Sequence, residues 1–419
     1  MDTSGNLTGT TFVEQAIYHE WLNSDFNTET FPTTGEDCQT CHMPRINDNV
    51  VIANRPPWLS ARSPFGLHYL VGGNAFMLNI LKDNNSLLGL SATQTQFDTV
   101  INRTVKQLQQ QTLNLSLFDN GRQNDTAYFD LYLENLTGHK FPAGYPSRRA
   151  YIEFLVTDVN NDTLFYSGRH NSIYRLLDED AAYELHYDVI TNDNQVQIYE
   201  MVMGDINGNV TTVLERAYQH LKDNRIPPKG FSTQHNAYDT VKIVGNALAD
   251  SDFNYINGVE GSGGDSVSYH IPLNGYAGQL NVSATVYYQP VPPRYLDDMF
   301  QYSSQEIDLF KNLYQGADHI PVIVAQQNLT VYPVGISAKN TNSKINVYPT
   351  ITSDFIYVHN ENDFSLDVDI YDLKGKLCAS NKVGAKSKNK LNLSHFSKGV
   401  YLIKSKVEGN AFVKRIVVQ

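Results

Sequence analysis

Thr126-Ala127-Tyr128-Phe129-Asp130-Leu131-Tyr132-Leu133-Glu134 is where the hydrophobic period of the chain changes. Ala127, Phe129, Leu131 and Leu133 share one side of an extended segment, and Tyr128, Asp130, Tyr132 and Glu134 share the other. That two-residue alternation marks a half-buried strand. Downstream, strands are predicted over 150–158, 163–168, 195–203, 266–273 and 279–289, the last with Leu280, Val282, Ala284, Val286 and Tyr288 on one face. A helix from Thr212 to Lys222 is expected to interrupt them before Pro227-Pro228. Ser303-Ser304-Gln305-Glu306 has the capping signature of another helix, carrying Ile307, Phe310 and Tyr314. Residues 121–334 thus read as an antiparallel β-sandwich with long decorated loops and a C-terminal helix.

Upstream the period is helical. Phe12 to Asn23 places apolar residues at 12, 13, 16, 17 and 21; Ala75 to Leu81 reads as helix; positions 97, 101, 105 and 108 make an amphipathic stripe between Ser91 and Leu115. Residues 1–120 are predicted to be a helical, loop-rich segment. Past a polar linker, Gly335 to Ser343, short strands are expected near 345–348, 354–358, 365–372, 376–379, 390–393, 399–407 and 410–418. Lys374-Gly375, Lys398-Gly399 and Glu408-Gly409-Asn410 punctuate them, which describes a small Ig-like sandwich over 342–419. The fold class is α+β, mainly β.

The first segment contains Gly35-Glu36-Asp37-Cys38-Gln39-Thr40-Cys41-His42-Met43-Pro44, a C-x-x-C-H pattern. Two thiols with a two-residue spacer reach both vinyl groups on one porphyrin edge, and the next imidazole falls beneath the iron. The pattern predicts covalently attached haem c, anchored by Cys38 and Cys41, with His42 as proximal ligand. A structural zinc site needs a second short-spaced Cys/His pair, which the sequence lacks. A thioredoxin-type pair is expected between a strand and a helix, which the polar lead-in does not supply. Six-coordinate iron needs a second His or Met. Met43 adjoins His42 and cannot reach the opposite face, which leaves His68, His139, His186 and Met77. His68 is favoured by the close approach that Gly66 and Gly72-Gly73 permit, and His139 by its loop, Thr137 to Gly144, between two strands.

Arg148-Arg149 has the fork geometry to pair with haem propionates, although a surface pair opening a strand is the preferred reading. Asp178-Glu179-Asp180, with Glu184 and Asp188, lacks the spacing and glycine of an EF-hand, so a solvated acidic loop is expected rather than a calcium site. No motif of another enzyme class is present, and no catalytic residue is assigned.

The 419 residues are 41% hydrophobic with 26 Tyr, enough for two or three folded cores. A net charge of −12 argues against nucleic-acid partners, and no apolar run approaches a membrane span. Lys344 to Gln419 holds 12 Lys+Arg against 7 Asp+Glu, a net +5, while the remainder carries −17, which marks a separate C-terminal module. Of the three cysteines, Cys378 stands alone. Covalent haem attachment takes place outside the cytoplasm, yet Met1-Asp2-Thr3-Ser4 opens no signal peptide. A longer parent with a signal is the expectation, with either further haem motifs in its N-terminal part or a reduced, monohaem arrangement.

Several stretches resemble the last haem-binding part of multihaem c-type cytochromes: Glu14 to Trp21, the Cys38–Pro44 motif, His68 to Asn74, Thr137 to Arg149, His186 to Asp188, Gln195 to Glu200 and Leu221 to Arg225. The resemblance covers roughly Thr11 to Ala325. It implies that His68 and His139, outside any C-x-x-C-H motif, are candidate distal ligands. A multihaem protein should carry several such motifs and this chain has one, so His19, His68 or His139 would serve other haems if the parent were longer. A second resemblance covers Asn346-Val347-Tyr348-Pro349-Thr350, Val368 to Lys376, Gly399 to Lys404 and Val413 to Val418, which are similar to the type IX secretion sorting domain of Bacteroidetes. It implies export through the periplasm to the cell surface or medium, with the secretion machinery as partner. The resulting expectation is an extracellular or outer-membrane-surface c-type cytochrome that passes electrons to redox partner proteins or further haems. The runner-up is a haem-bearing redox enzyme, or its subunit, acting on a small nitrogen or oxygen species. A haem-free surface binding protein is the third class.

Overall fold

Alternation from Thr126 to Asn135 makes β4, an interior strand, and the sheets are laid out around its apolar face. The computed structural model describes residues 1–2, 4–55, 58–180, 182–332, 344–373, 375–407 and 410–419. They form two compact units, Met1–Tyr332 and Pro333–Gln419.

The first unit opens with α1 (Ile17–Leu22), α2 (Cys38–His42), β1 (Arg45–Ile46), β2 (Phe65–Gly66), α3 (Ala75–Asp83) and α4 (Gln94–Gln110). The strands β3 (Leu113–Gln123), β4 (Thr126–Asn135), β5 (Arg149–Thr157), β6 (Thr163–Ser167), β7 (Val189–Ile190), β8 (Ile198–Gly204) and β9 (Gln219–Asp223) follow. The unit ends with β10 (Tyr255–Ile256), β11 (Val259–Glu260), β12 (Gly264–Pro272), β13 (Leu280–Gln289), α5 (Gln305–Gln315) and β14 (Val322–Val331). One sheet runs β3-β4-β12-β7; the other runs β14-β13-β5-β8-β9, with β6 also paired to β5. Phe129, Leu131 and Leu133 of β4 are wholly buried, as are Ile152 and Phe154 of β5 and Ala284 and Val286 of β13. Phe154 stacks on Tyr269 of β12 with ring centres 3.8 Å apart and planes 10° apart, joining the two sheets. This is the expected sandwich. It is antiparallel except where the short β7 joins β12 in parallel.

Residues 1–120 are less helical than predicted. Among the described residues of this segment helix is confined to α1, α2, α3 and α4, with long irregular stretches between them. The stripe ending at Leu115 breaks at Gln110, and Leu113 and Leu115 turn their side chains into the core from β3. The helix expected over Thr212–Lys222 is replaced by a single 3₁₀ turn, Leu214–Arg216, and then β9. There Lys222 and Asp223 are buried in ion pairs, a tertiary gain that outweighs the helical spacing of Val213, Ala217 and Leu221. The edge strand β14 carries exposed Gln326, Gln327 and Asn328, so its alternation is weak. At α5 the helix forms as expected, but its cap is Ser304, one residue past the start of the Ser303–Glu306 box, its Oγ accepting from the Ile307 N–H.

The second unit holds β15 (Ile345–Tyr348), β16 (Ile351–Thr352), β17 (Phe355–Asn360), β18 (Leu366–Asp372), β19 (Leu377–Val383), β20 (Ser387–Asn392), β21 (Gly399–Val407) and β22 (Asn410–Val418). They make sheets β15-β17-β20 and β16-β22-β21-β18-β19 around Val358, Val368, Ile370, Ile403 and Ile416. Gly375 turns with φ +80°, as its place after β18 requires. The linker Gly335–Ser343 and the turn residues Lys374, Glu408 and Gly409 lie outside the described residues.

Candidate functional site

Asp37 starts the site by capping α2: its Oδ1 accepts from the Thr40 N–H and hydroxyl, both at 2.7 Å. These bonds, the hydroxyl first, hold its carboxyl below the usual range. In the one-turn helix that follows, residues three and four apart share a face, so Cys38, Cys41 and His42 are presented together. All three line a cavity of about 310 Å³. Burial, reinforced by Glu36 and Asp37, pushes the Cys41 thiol up to about 11. It is therefore protonated at neutral pH, and it donates to Glu36 Oε2 at 3.5 Å.

The opposite wall is the loop between β4 and β5. Asn135, buried at the end of β4, donates to the carbonyls of His139 (2.7 Å) and Ile226 (2.9 Å), while its Oδ1 accepts from Thr137. A Cβ on Gly138 would meet Phe26 and Trp21 at 3.1–3.2 Å, so glycine is what lets the loop lie against the α1 segment. Beside it, Lys140 is fully buried. Its N–H donates to Glu20 Oε2 at 3.0 Å and its ammonium pairs with Asp223 at 2.9 Å. Arg225 forks onto Asp223 at 2.9 and 2.8 Å and reaches Glu20 at 3.0 Å. Burial alone would raise the Asp223 carboxyl, yet Arg225 and Lys140 hold it far below the ordinary range. This four-residue network ties α1, the His139 loop and the end of β9 together. Lys222, Asp223 and Arg225 sit in a polar run, Gln219-His220-Leu221-Lys222-Asp223-Asn224-Arg225, that gives no sign of burial, and the network carries no signature in the sequence.

The rings of His42 and His139 face each other across the cavity, centres 6.3 Å apart and planes 23° apart. His42 Nδ1 lies 2.5 Å from the Val71 carbonyl and His139 Nδ1 lies 3.0 Å from that of Lys140. Those acceptors fix the Nδ1–H tautomer in both rings and leave each Nε2 lone pair free. Burial, ahead of all other influences, lowers the His139 pKa and keeps the ring neutral. Two imidazoles on opposite sides of one metal ion, each bonded at about 2 Å, have centres roughly 6 Å apart. The separation is one at which both imidazoles could reach a single metal ion, and the thiols of Cys38 and Cys41 line the same cavity, so the residues present would fit a haem iron.

The other candidates lie elsewhere. His68 is exposed against Phe65 and is not among the cavity-lining residues. His19 is exposed, Met77 sits on α3, and His186 is buried in a hydrogen-bonded cluster with Asp250. Gly73 makes the close approach expected of it, since a Cβ there would meet the Tyr288 hydroxyl at 2.9 Å. Arg148-Arg149 is not a surface pair. Arg149 is buried and paired with Glu179 at 2.9 Å, and Arg148 lines the cavity with its Nη1 donating to the Ala143 carbonyl. The acidic loop is ion-paired rather than merely solvated: Asp178 meets Arg169 at 2.7 Å, and Glu179 meets Arg149 and Arg294.

Residues 346–419 match the family model of the secretion system C-terminal sorting domain. The C-terminal unit is accordingly a sorting tail of type IX secretion, which supports export to the cell surface and engagement of the secretion machinery. No helix among the described residues is long and apolar enough to cross a membrane. No curated protein matches the chain. Among solved structures it is similar to a penta-haem cytochrome c552 from Thermochromatium tepidum at 16% identity and TM-score 0.36, covering 74% of this chain and 51% of that one. The chain therefore spans about half the length of that protein. HBP35 of Porphyromonas gingivalis is similar at 12% identity and TM-score 0.18, covering 79% of this chain and 72% of that one.

Proposed function

We propose that the first unit is an electron-carrying c-type haem protein exported by way of its sorting tail. Cys38 and Cys41 would hold haem c through thioethers, His42 would be its proximal ligand and His139 its distal one. The observation that carries this reading is the facing pair of imidazoles, each with Nδ1 spent on a carbonyl and Nε2 free. When bound, the haem supplies a one-electron couple, and two imidazoles leave no open position for a substrate. Trp21, Phe26, Leu108, Leu136, Phe141 and Tyr288 give the cavity an apolar wall that restricts water, and Arg148 is a cation on that wall able to face a carboxylate.

The test is haem staining on a denaturing gel after expression with the cytochrome c maturation apparatus. The wild-type chain is expected to stain, and a variant combining Cys38→Ser and Cys41→Ser to lose covalent haem entirely. An unstained wild-type band in a host that matures other c-type cytochromes would overturn the proposal.

A further inference from the structure

Away from the haem cavity, the loop around Asp250 gathers carboxylates in two overlapping groups. One ligand atom each from His186, Asp250 and Asp265 lies within 4.8 Å of the others, and the same holds for Asp188, Asp250 and Asp252. The first group is buried and the second reaches the surface at Asp188. Neither Lys nor Arg pairs with any of the four aspartates among the described residues.

His186 does not neutralise them. The Asn224 Oδ1 is committed to the Glu200 N–H and the Gln197 Oε1 to the Tyr187 N–H, so both amides turn their NH₂ groups to His186 Nδ1, at 3.0 and 2.9 Å. Nδ1 is therefore the acceptor, and Nε2–H donates to Asp250 Oδ2 at 3.0 Å. The ring is a neutral positioning residue for Asp250. The Asp250 Oδ1 accepts from the Asp252 and Phe253 N–H groups, which fixes the loop.

Asp265 gives the independent sign. It is 0% exposed, its Oδ2 takes the Tyr199 hydroxyl at 2.6 Å, and its Oδ1 has no hydrogen-bond partner among the described residues. A carboxylate oxygen taken out of water requires a partner, and where no donor is present a cation serves.

We propose that Asp250, the residue the two groups share, holds one hard divalent cation of the calcium class together with Asp188 and Asp252, next to the buried charge of Asp265. Calcium binds oxygens at about 2.3–2.6 Å, so ligands on opposite sides of one ion stand roughly 5 Å apart, the scale of the Asp188, Asp250 and Asp252 group. The smaller magnesium ion demands tighter octahedral geometry, and the imidazole is turned away as a donor, which disfavours zinc. The cation would pin the 250–252 loop to the approach to β7.

The full chain, stripped with EDTA and passed through a desalting column, is titrated with CaCl₂ by calorimetry, with thermal unfolding followed in parallel. One calcium per chain and a calcium-dependent rise in Tm are expected. Combining Asp188→Asn with Asp252→Asn should weaken binding by about tenfold or more and abolish the Tm rise, while leaving Tm in EDTA unchanged. If that double variant fails to fold, Asp188→Asn alone, at the exposed rim, is read by terbium luminescence. No calcium bound to the wild type, binding unchanged in the variants, or a tighter response to ZnCl₂ than to CaCl₂ would each overturn the assignment.

Discussion

Asp223→Ala is expected to cost about 3–5 kcal/mol of stability, read as a lowered urea midpoint of the first unit by tyrosine and tryptophan fluorescence. The magnitude follows from what is left behind. Lys140 would keep only the Lys242 carbonyl, and Arg225 only Glu20, both cations staying buried. Removing one partner of a buried ion pair strands the other without water, a larger effect than the net worth of the pair. A loss below about 1 kcal/mol, the scale of an exposed pair, would mean that the network is hydrated. The same carboxyl sets an acid limb. Its folded pKa lies far below the ordinary 3.8, so the stability it contributes is complete above that value and drains away as pH falls toward the folded one. The urea midpoint should drop steeply below about pH 4, and Asp223→Asn should flatten that limb.

In the haem-loaded protein, His139→Ala is expected to leave covalent haem in place while converting a low-spin six-coordinate spectrum wholly to a high-spin one. Cys38, Cys41 and His42 belong to α2 and its own hydrogen bonds, and they do not need the β4–β5 loop to stay together. His139 faces His42 from that loop, so its removal would take away one of the two proposed ligands and leave the other in place. Added imidazole should restore the low-spin form. His68→Ala is the control: the residue is exposed outside the cavity lining and its loss should leave the spectrum unchanged. A high-spin shift in the His68 variant and none in the His139 variant would reverse the assignment.

Both sandwiches could be read from alternation because their interior strands bury one face against a partner sheet. The run at Ala127–Leu133 is wholly buried on one side, and Val368 and Ile370 repeat the pattern in the second unit. Strands whose side chains answer to other demands did not follow the rule. The edge strand β14 is interrupted by the polar Gln326-Gln327-Asn328, and β9 buries Lys222 and Asp223 through ion pairs rather than hydrophobicity. At the site, the C-x-x-C-H pattern singled out the residues that form α2, whose helical conformation was not read from the sequence. The proposal's preference for His139 over His68 rests on tertiary geometry, a 6.3 Å separation between rings far apart in the chain. Glu20 and Arg225 were out of reach for the same reason, and the Asp250 cluster assembles from segments that no local pattern links.

The two walls of the cavity differ in when they can exist. The thiols and His42 depend on contacts no farther along the chain than Val71. The His139 loop is held by bonds that span 120 residues to Glu20 and 83 residues to Asp223. Contacts of long span close late in folding, after the loop entropy between their ends has been overcome. A chain crossing a membrane N-terminus first would therefore offer Cys38, Cys41 and His42 to an attachment enzyme while the segment bearing His139 was still unfolded. If haem is attached as proposed, covalent loading and closure by the His139 loop would be successive events, and the second would act as a lock on the first.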